Sequence, residues 1–165
     1  MALSQTAPTR PMTERFSPRD QYFMRLALRE AERALEHDDV PIGAVLVRDE
    51  EVVAAAHNER ELRQDPTAHA EVIAVREAAR LAGSWRVLDA VLYVTLEPCA
   101  MCAGAVVLAR LARVIYGASD PKAGACGSVL DVTGEPRLNH RPEVAGGLLG
   151  QECSELLSEF FASRR

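Results

Sequence analysis

No run of this chain approaches the ~18 consecutive apolar residues that a membrane-spanning helix requires, which argues against a transmembrane protein. Positive charge is not in excess either: 19 Lys and Arg stand against 24 Asp and Glu, for a net charge of -5. A global basic field that would draw in nucleic acid is therefore missing, and any RNA contact has to come from a local patch. Cysteine is scarce, with four residues of which only Cys99 and Cys102 are close together. Such a set does not make the disulfide framework of a small secreted domain. One tight pair in a chain without a secretory signal points instead to metal binding or redox chemistry. Met1 to Phe16 is polar and carries prolines with no apolar h-region, so residues 1–16 read as a disordered leader and the protein as cytoplasmic. No repeat and no second domain is evident, which leaves one domain over residues 17–165.

At 165 residues, 48% of them hydrophobic, the chain is long enough for one core. Ser17-Pro18-Arg19-Asp20 predicts a helix start, with Ser17 as N-cap and Pro18 in the first turn. Phe23, Met24, Ala27, Leu28, Ala31, Ala34 and Leu35 then recur at helical spacing, carrying helix one to about His37. Pro41 to Val47 and Val52 to Ala56 are apolar runs about the turn Asp49-Glu50-Glu51 and predict a hairpin, closed by His57-Asn58. After the turn Asp65-Pro66-Thr67 comes helix two, His69 to Leu81, with Ala70, Val72, Ile73, Ala74, Ala78 and Leu81 as its apolar face. Strand three is Val91 to Leu96, helix three Pro98 to Leu111, and strand four Arg113 to Ala118. Lys122 to Ser128 reads as a loop, Val144 to Leu149 as a short fifth strand, and Gln151 to Phe161 as a final helix. Strands alternating with helices imply parallel neighbours joined by right-handed crossovers. The expected architecture is α/β, a mixed sheet with helices on both faces.

The stretch from Thr95 to Ala105 organises the chain. An apolar strand runs straight into a small-residue helix, and Pro98 suits the first helical position because its missing N–H would be unpaired there anyway. Cys99 and Cys102, three apart, then share one face of the first turn, where the helix dipole favours thiolates. Alone, C-x-x-C also fits a thioredoxin-like redox pair or half of a structural zinc site. The order of elements is wrong for the first, and the second would want another close pair, whereas Cys126 and Cys153 are isolated and read as buried small hydrophobes. His69 alone would be an ordinary core or cap histidine, and Glu71 an acid well placed in a first helical turn. Together they form H-A-E, followed 26 residues later by P-C-A-M-C. That interval suits one helix and one returning strand, so two helix starts can meet at adjacent strand ends. One imidazole and two thiolates leave a fourth tetrahedral position open, the layout of a catalytic zinc. Glu71 is placed to take a proton.

H-x-E…P-C-x-x-C resembles the signature of the zinc-dependent base deaminases. Beyond it, Pro41–Val47, His57-Asn58, Asp65–Glu71, Leu92–Ala105, Arg113–Ala118, Asp120–Ser128, Leu138-Asn139-His140 and Phe160-Phe161 resemble the bacterial tRNA adenosine deaminase family. The resemblance implies a three-layer α/β/α, cytidine-deaminase-like fold with a mixed five-stranded sheet. It implies that His69, Cys99 and Cys102 hold one zinc per subunit and that Glu71 shuttles protons. Asn58 and the backbone at Ala70 would contact a flipped-out base, the wobble adenosine of a tRNA anticodon stem-loop, which becomes inosine. The family is homodimeric, needs no organic cofactor, and uses its final helix, here with Phe160, Phe161, Arg164 and Arg165, as part of the RNA surface. Ala162 stands where a basic residue is common, and Trp85 where a tyrosine is. Asp120 and Lys122 flank the RNA or form a solvated turn, and His140 faces RNA or packs in a loop. A free-base or mononucleotide deaminase (guanine, cytosine or deoxycytidylate) would use the same zinc machinery, whereas a silent RNA-binding scaffold would have no need of Glu71.

Overall fold

The structure is a computed structural model and describes residues 15–164. The leader expected over residues 1–16 lies outside the described residues as far as residue 14. Phe16, counted with that leader, is buried against the core. Helix α1 (Pro18–Ala34) opens as the sequence predicts: the Asp20 N–H donates to Ser17 Oγ at 3.0 Å, and the Ser17 N–H to Asp20 Oδ2 at 2.9 Å. This reciprocal capping satisfies two helix-end donors and is worth on the order of 1 kcal/mol. A 3₁₀ turn (Leu35–His37) follows, and then the antiparallel hairpin of β1 (Gly43–Arg48) and β2 (Glu51–His57). The remaining elements are α2 (Arg60–Arg63), α3 (Ala70–Ala82), β3 (Ala90–Leu96), α4 (Ala100–Ala109), β4 (Arg113–Ala118), β5 (Glu143–Gly146) and α5 (Gly150–Ala162).

The five strands form one mixed sheet in the order β2-β1-β3-β4-β5. β1 is antiparallel to both neighbours, and β3, β4 and β5 run parallel. Strand alternation separates two apolar layers. Val45, Val47, Tyr93 and Ile115 meet Phe23, Met24 and Ala27 of α1 and Cys153 of α5. Ala44, Leu46, Leu92, Val94 and Val114 meet Ala70, Ala74 and Ala78 of α3 and Val106 and Ala109 of α4. This is the three-layer α/β/α fold expected. α3 and α4 lie on the same face, and each starts where the chain leaves the same end of the sheet. Their N-termini therefore stand side by side.

Several local expectations need correction. α4 starts at Ala100, not Pro98, because Cys99 stays extended (φ -72°, ψ 178°) and is itself the N-cap. Pro98 precedes the cap, and its carbonyl accepts the Ala125 N–H at 2.8 Å. His69 likewise caps α3 from outside. Leu81 is 59% exposed, lining an open groove with Val52 and Val53 of the hairpin rather than joining the core, whereas Val75 is buried in it. β5 ends at Gly146 because Gly147 and Leu149 adopt left-handed conformations that no strand continues. α2 has no apolar period to betray it. Its Glu61 N–H donates to Asp39 Oδ2 and its Arg60 Nε to Asp39 Oδ1, at 2.9 and 3.1 Å, and Asp39 is fully buried. Cys153 is buried as expected, but Cys126 is only half-buried.

β1 approaches α1 closely enough to require glycine at residue 43: an added Cβ would lie 2.0 Å from the Ala27 carbonyl oxygen. Both partners are backbone, so neither can yield cheaply. Gly43→Ala should destabilise the fold by about 2–3 kcal/mol, the upper range for overpacking. The check is a urea midpoint lowered at constant m-value.

Candidate active site

Three chain segments supply the site: the exit of β2 (His57-Asn58), the start of α3 (His69 to Glu71) and the start of α4 (Cys99 to Cys102). The Asn58 side chain ties the first two together. Its Oδ1 accepts the Ala70 N–H at 3.0 Å, and its own backbone N–H donates to the Ile42 carbonyl. One of α3's unpaired first-turn donors is satisfied this way, from a strand end rather than from the helix's own cap. Asn58 is 2% exposed, and its Nδ2 makes no hydrogen bond among the described residues.

His69, Cys99 and Cys102 converge, and theirs is the one group among the described residues able to offer three metal donors. His69 Nδ1 lies 3.7 Å from Cys99 Sγ and 3.5 Å from Cys102 Sγ. Tetrahedral zinc, with N at about 2.0–2.1 Å and S at about 2.3 Å, would hold N and S about 3.6 Å apart. The donor set and its spacing fit such an ion, with a fourth position left for a small ligand. The three groups bias one another's protonation. The Cys102 S–H donates to Cys99, which with the His69 bond pulls the Cys99 thiol down to about 3. The same Cys102–Cys99 bond raises Cys102, and the bond to Cys99 raises His69. A bound cation would displace these protons, since a coordinating thiol is deprotonated outright.

Glu71 lies in the first turn of α3, 4% exposed. Burial pushes its carboxyl up to about 7, against the opposing pull of its own backbone N–H and of His69. Its Oε2 is buried with no hydrogen-bond partner. An unpaired buried carboxylate oxygen is costly. Glu71 stands two residues after His69, and the two side chains are close enough to bias each other's protonation.

The residues expected at the RNA fare unevenly. Asp120 is half-buried, and its Oδ1 accepts the backbone N–H of Lys122 and of Ala123 at 3.0 and 3.2 Å, so one of its oxygens shapes its own turn. Asp120 and Lys122 nonetheless line, with Leu96, Leu157 and Phe161, a groove of about 460 Å³. Phe161 is 51% exposed, whereas Phe160 is 7% exposed. Of the two rings expected at the RNA surface, Phe161 is therefore the one presented to solvent, and Phe160 packs inward. Arg164 is folded back, its guanidinium 3.7 Å from the Phe160 ring centroid and its Nη2 3.0 Å from Asp38 Oδ1. His140 packs in its loop, with Nε2 2.6 Å from the Leu111 carbonyl oxygen.

One residue that the pattern did not single out is Glu97, 2% exposed at the end of β3. Its carboxylate accepts hydrogen bonds from Asp120, Cys126 and Ser128. The signal available in sequence was a charged residue ending an apolar strand. Its partners, 23 to 31 residues further on, could not be read from there.

The family described as MafB19-like deaminase matches residues 19–165. The tRNA-specific adenosine deaminase of Bacillus subtilis is 50% identical over 146 residues, 88% of this chain and 91% of that protein. The enzyme of the same name from Aquifex aeolicus is 48% identical over 145 residues, 88% of this chain and 95% of that one. A solved structure from a study of A-to-I editing by tRNA:A34 deaminases at the wobble position of transfer RNA superposes with a TM-score of 0.80 at 48% identity. It covers 82% of this chain and 99% of its own. A guanine deaminase from Nitrosomonas europaea shares the fold at a TM-score of 0.74 and 22% identity, over 88% of this chain and 85% of its own.

Cys99→Ala should strip one donor from the triangle and leave the fold intact, because Cys99 is a half-buried cap rather than a core residue. Elemental analysis should find bound metal falling from one equivalent to well under a tenth. Full occupancy in the variant would refute the donor assignment.

Proposed function

The chain belongs to the tRNA-specific adenosine deaminases, and from that membership we propose that it converts the wobble adenosine of a tRNA anticodon loop to inosine by zinc-dependent hydrolysis. The observation that carries the chemistry is Glu71 Oε2, buried and unpaired within two residues of the first of three metal donors. His69, Cys99 and Cys102 would hold one zinc per subunit, and zinc held there would supply the acidification of water that makes a nucleophile available at neutral pH. Glu71 accepts the proton that the water gives up and delivers it to the ring nitrogen beside the amine-bearing carbon. It then carries the second water proton to the departing amine. Adenosine and water thus become inosine and ammonia, and the carboxylate ends as it began. Burial, which lifts Glu71 to about 7, suits it to both halves of this exchange.

Asn58 and the Ala70 backbone position the base. With Oδ1 held by the Ala70 N–H, the asparagine is fixed in one orientation and its Nδ2 is left as a donor for a ring acceptor. The base must leave its stack, at a cost of roughly a few kcal/mol that is least in an already open loop, which favours an anticodon loop over duplex RNA. With a net charge of -5, the chain relies on local contacts for RNA. The groove of Asp120, Lys122 and Phe161 supplies an exposed ring for stacking and a cation for phosphate. The working form is a homodimer in the cytoplasm. Leu108 on α4, 69% exposed, is the kind of apolar side chain a second copy would cover. Among the described residues no helix is long and apolar enough to cross a membrane.

Zinc-loaded protein should form inosine and release ammonia from an adenosine-wobble anticodon stem-loop, with free adenosine, cytidine and guanine left unchanged. Turnover of guanine or another free base, with none on the stem-loop, would replace the RNA reading by that of a free-base deaminase. Glu71→Ala should keep its zinc and lose turnover by about 10²–10⁴-fold, the range for general acid–base groups. Near-native kcat in that variant would remove Glu71 from the proton path.

A further inference from the structure

Between β4 and β5 the chain runs from Ser119 to Pro142 with no helix or regular strand. The first part of this segment carries Asp120 and Lys122 of the groove. A single side chain from outside the loop takes up three of its backbone N–H groups and one hydroxyl. Glu97 Oε2 accepts the Asp120 N–H at 2.9 Å and the Ser128 Oγ–H at 2.5 Å. Glu97 Oε1 accepts the Cys126 and Ser128 N–H groups, both at 3.1 Å. An ionised carboxylate offers about four lone-pair positions and no donor. All four are filled, and all four by residues 120–128.

The fit is tight on the remaining side as well. A Cβ at Gly124 would stand 2.3 Å from Glu97 Oε2, so the loop backbone lies directly on the carboxylate. The Ala125 N–H donates to the Pro98 carbonyl, which binds the loop a second time to the peptide just ahead of Cys99. Glutamine is a poor substitute: turned one way its NH₂ faces the Cys126 and Ser128 N–H groups, and turned the other it faces the Asp120 N–H, with only the Ser128 hydroxyl able to accept from it.

We propose that Glu97 is a positioning residue for RNA binding. Its carboxylate holds the 119–128 loop in the shape that receives the anticodon stem-loop, and it ties that loop to the turn bearing Cys99. This rests on the functional reading above. A loop held in its binding shape beforehand loses little conformational freedom when RNA docks, so its benefit appears in RNA affinity rather than in the proton transfer at Glu71. Glu97 touches neither the donor triangle's hydrogen bonds nor Glu71's, so the two effects are separable.

The test compares zinc-loaded full-length wild type, Glu97→Gln and Ser128→Ala on the adenosine-wobble stem-loop. Zinc content, kcat and KM are measured, with amide hydrogen exchange over 119–128. Glu97→Gln should keep stoichiometric zinc, keep kcat within about threefold and raise KM about tenfold or more, the loss expected for charge-assisted hydrogen bonds. Ser128→Ala removes only the hydroxyl bond and should raise KM by about threefold. This milder variant decides the matter if the glutamine variant does not fold. A fall in kcat at unchanged KM, or loss of zinc, would overturn the proposal and make Glu97 a support of the metal turn. If wild type makes no inosine from the stem-loop, the functional reading is what fails. Exchange then decides the loop's part: faster exchange at Asp120, Cys126 and Ser128 in Glu97→Gln upholds Glu97 as the residue that sets the loop, and unchanged exchange rejects it.

Discussion

The approach of His69 Nδ1 to two cysteine sulfurs, 3.7 and 3.5 Å away, is the constraint on which the rest of this structure depends. Neither helix brings it about alone. His69 and Cys99 are both extended caps, set just ahead of their helices, so each donor's position follows from where its helix begins. The start of α3 is held by the Asn58 Oδ1 bond to Ala70 N–H, and the start of α4 by the end of β3. β3 in turn is paired on both sides, to β1 and to β4. The site inherits its precision from a packed sheet, which is how a small cluster of donors can be held within the tolerance a metal demands.

Buried carboxylates in this protein divide by what they touch. Asp20 accepts from Ser17 and from the Tyr93 hydroxyl, Asp39 from α2 and Arg60, and Glu97 from its loop. Each replaces the hydration lost on burial with hydrogen bonds to groups elsewhere in the chain. Glu71 alone among them keeps a buried oxygen without a partner. Structural carboxylates are satisfied because their cost must be met in the folded state. A carboxylate that exchanges protons with substrate has its partner supplied by the reaction.

Much of this arrangement was legible beforehand. The Ser17-Pro18-Arg19-Asp20 cap, the apolar runs of β1 and β3, and the H-x-E and C-x-x-C motifs all rest on short-range spacing or residue type, which local geometry governs. Misread positions are those where two distant segments had to be weighed. Pro98 has the right chemistry for a first helical residue, yet its carbonyl is wanted by Ala125 and the helix starts two residues later. Leu81 keeps the helical period but borders an open groove against the hairpin instead of the core.

By itself, the sequence determined the kinds of element, the two-sided sheet and the chemistry of the donor set. Apolar period and residue type carry that information within a turn or a strand. Only the tertiary structure decided which of Phe160 and Phe161 faces out, that Asp39 would fasten α2, and that one carboxylate at residue 97 would gather a loop some thirty residues downstream. Those outcomes depend on backbone N–H groups that every residue carries alike. Nothing in the sequence marks which of them a buried acceptor will meet until the chain has folded around it.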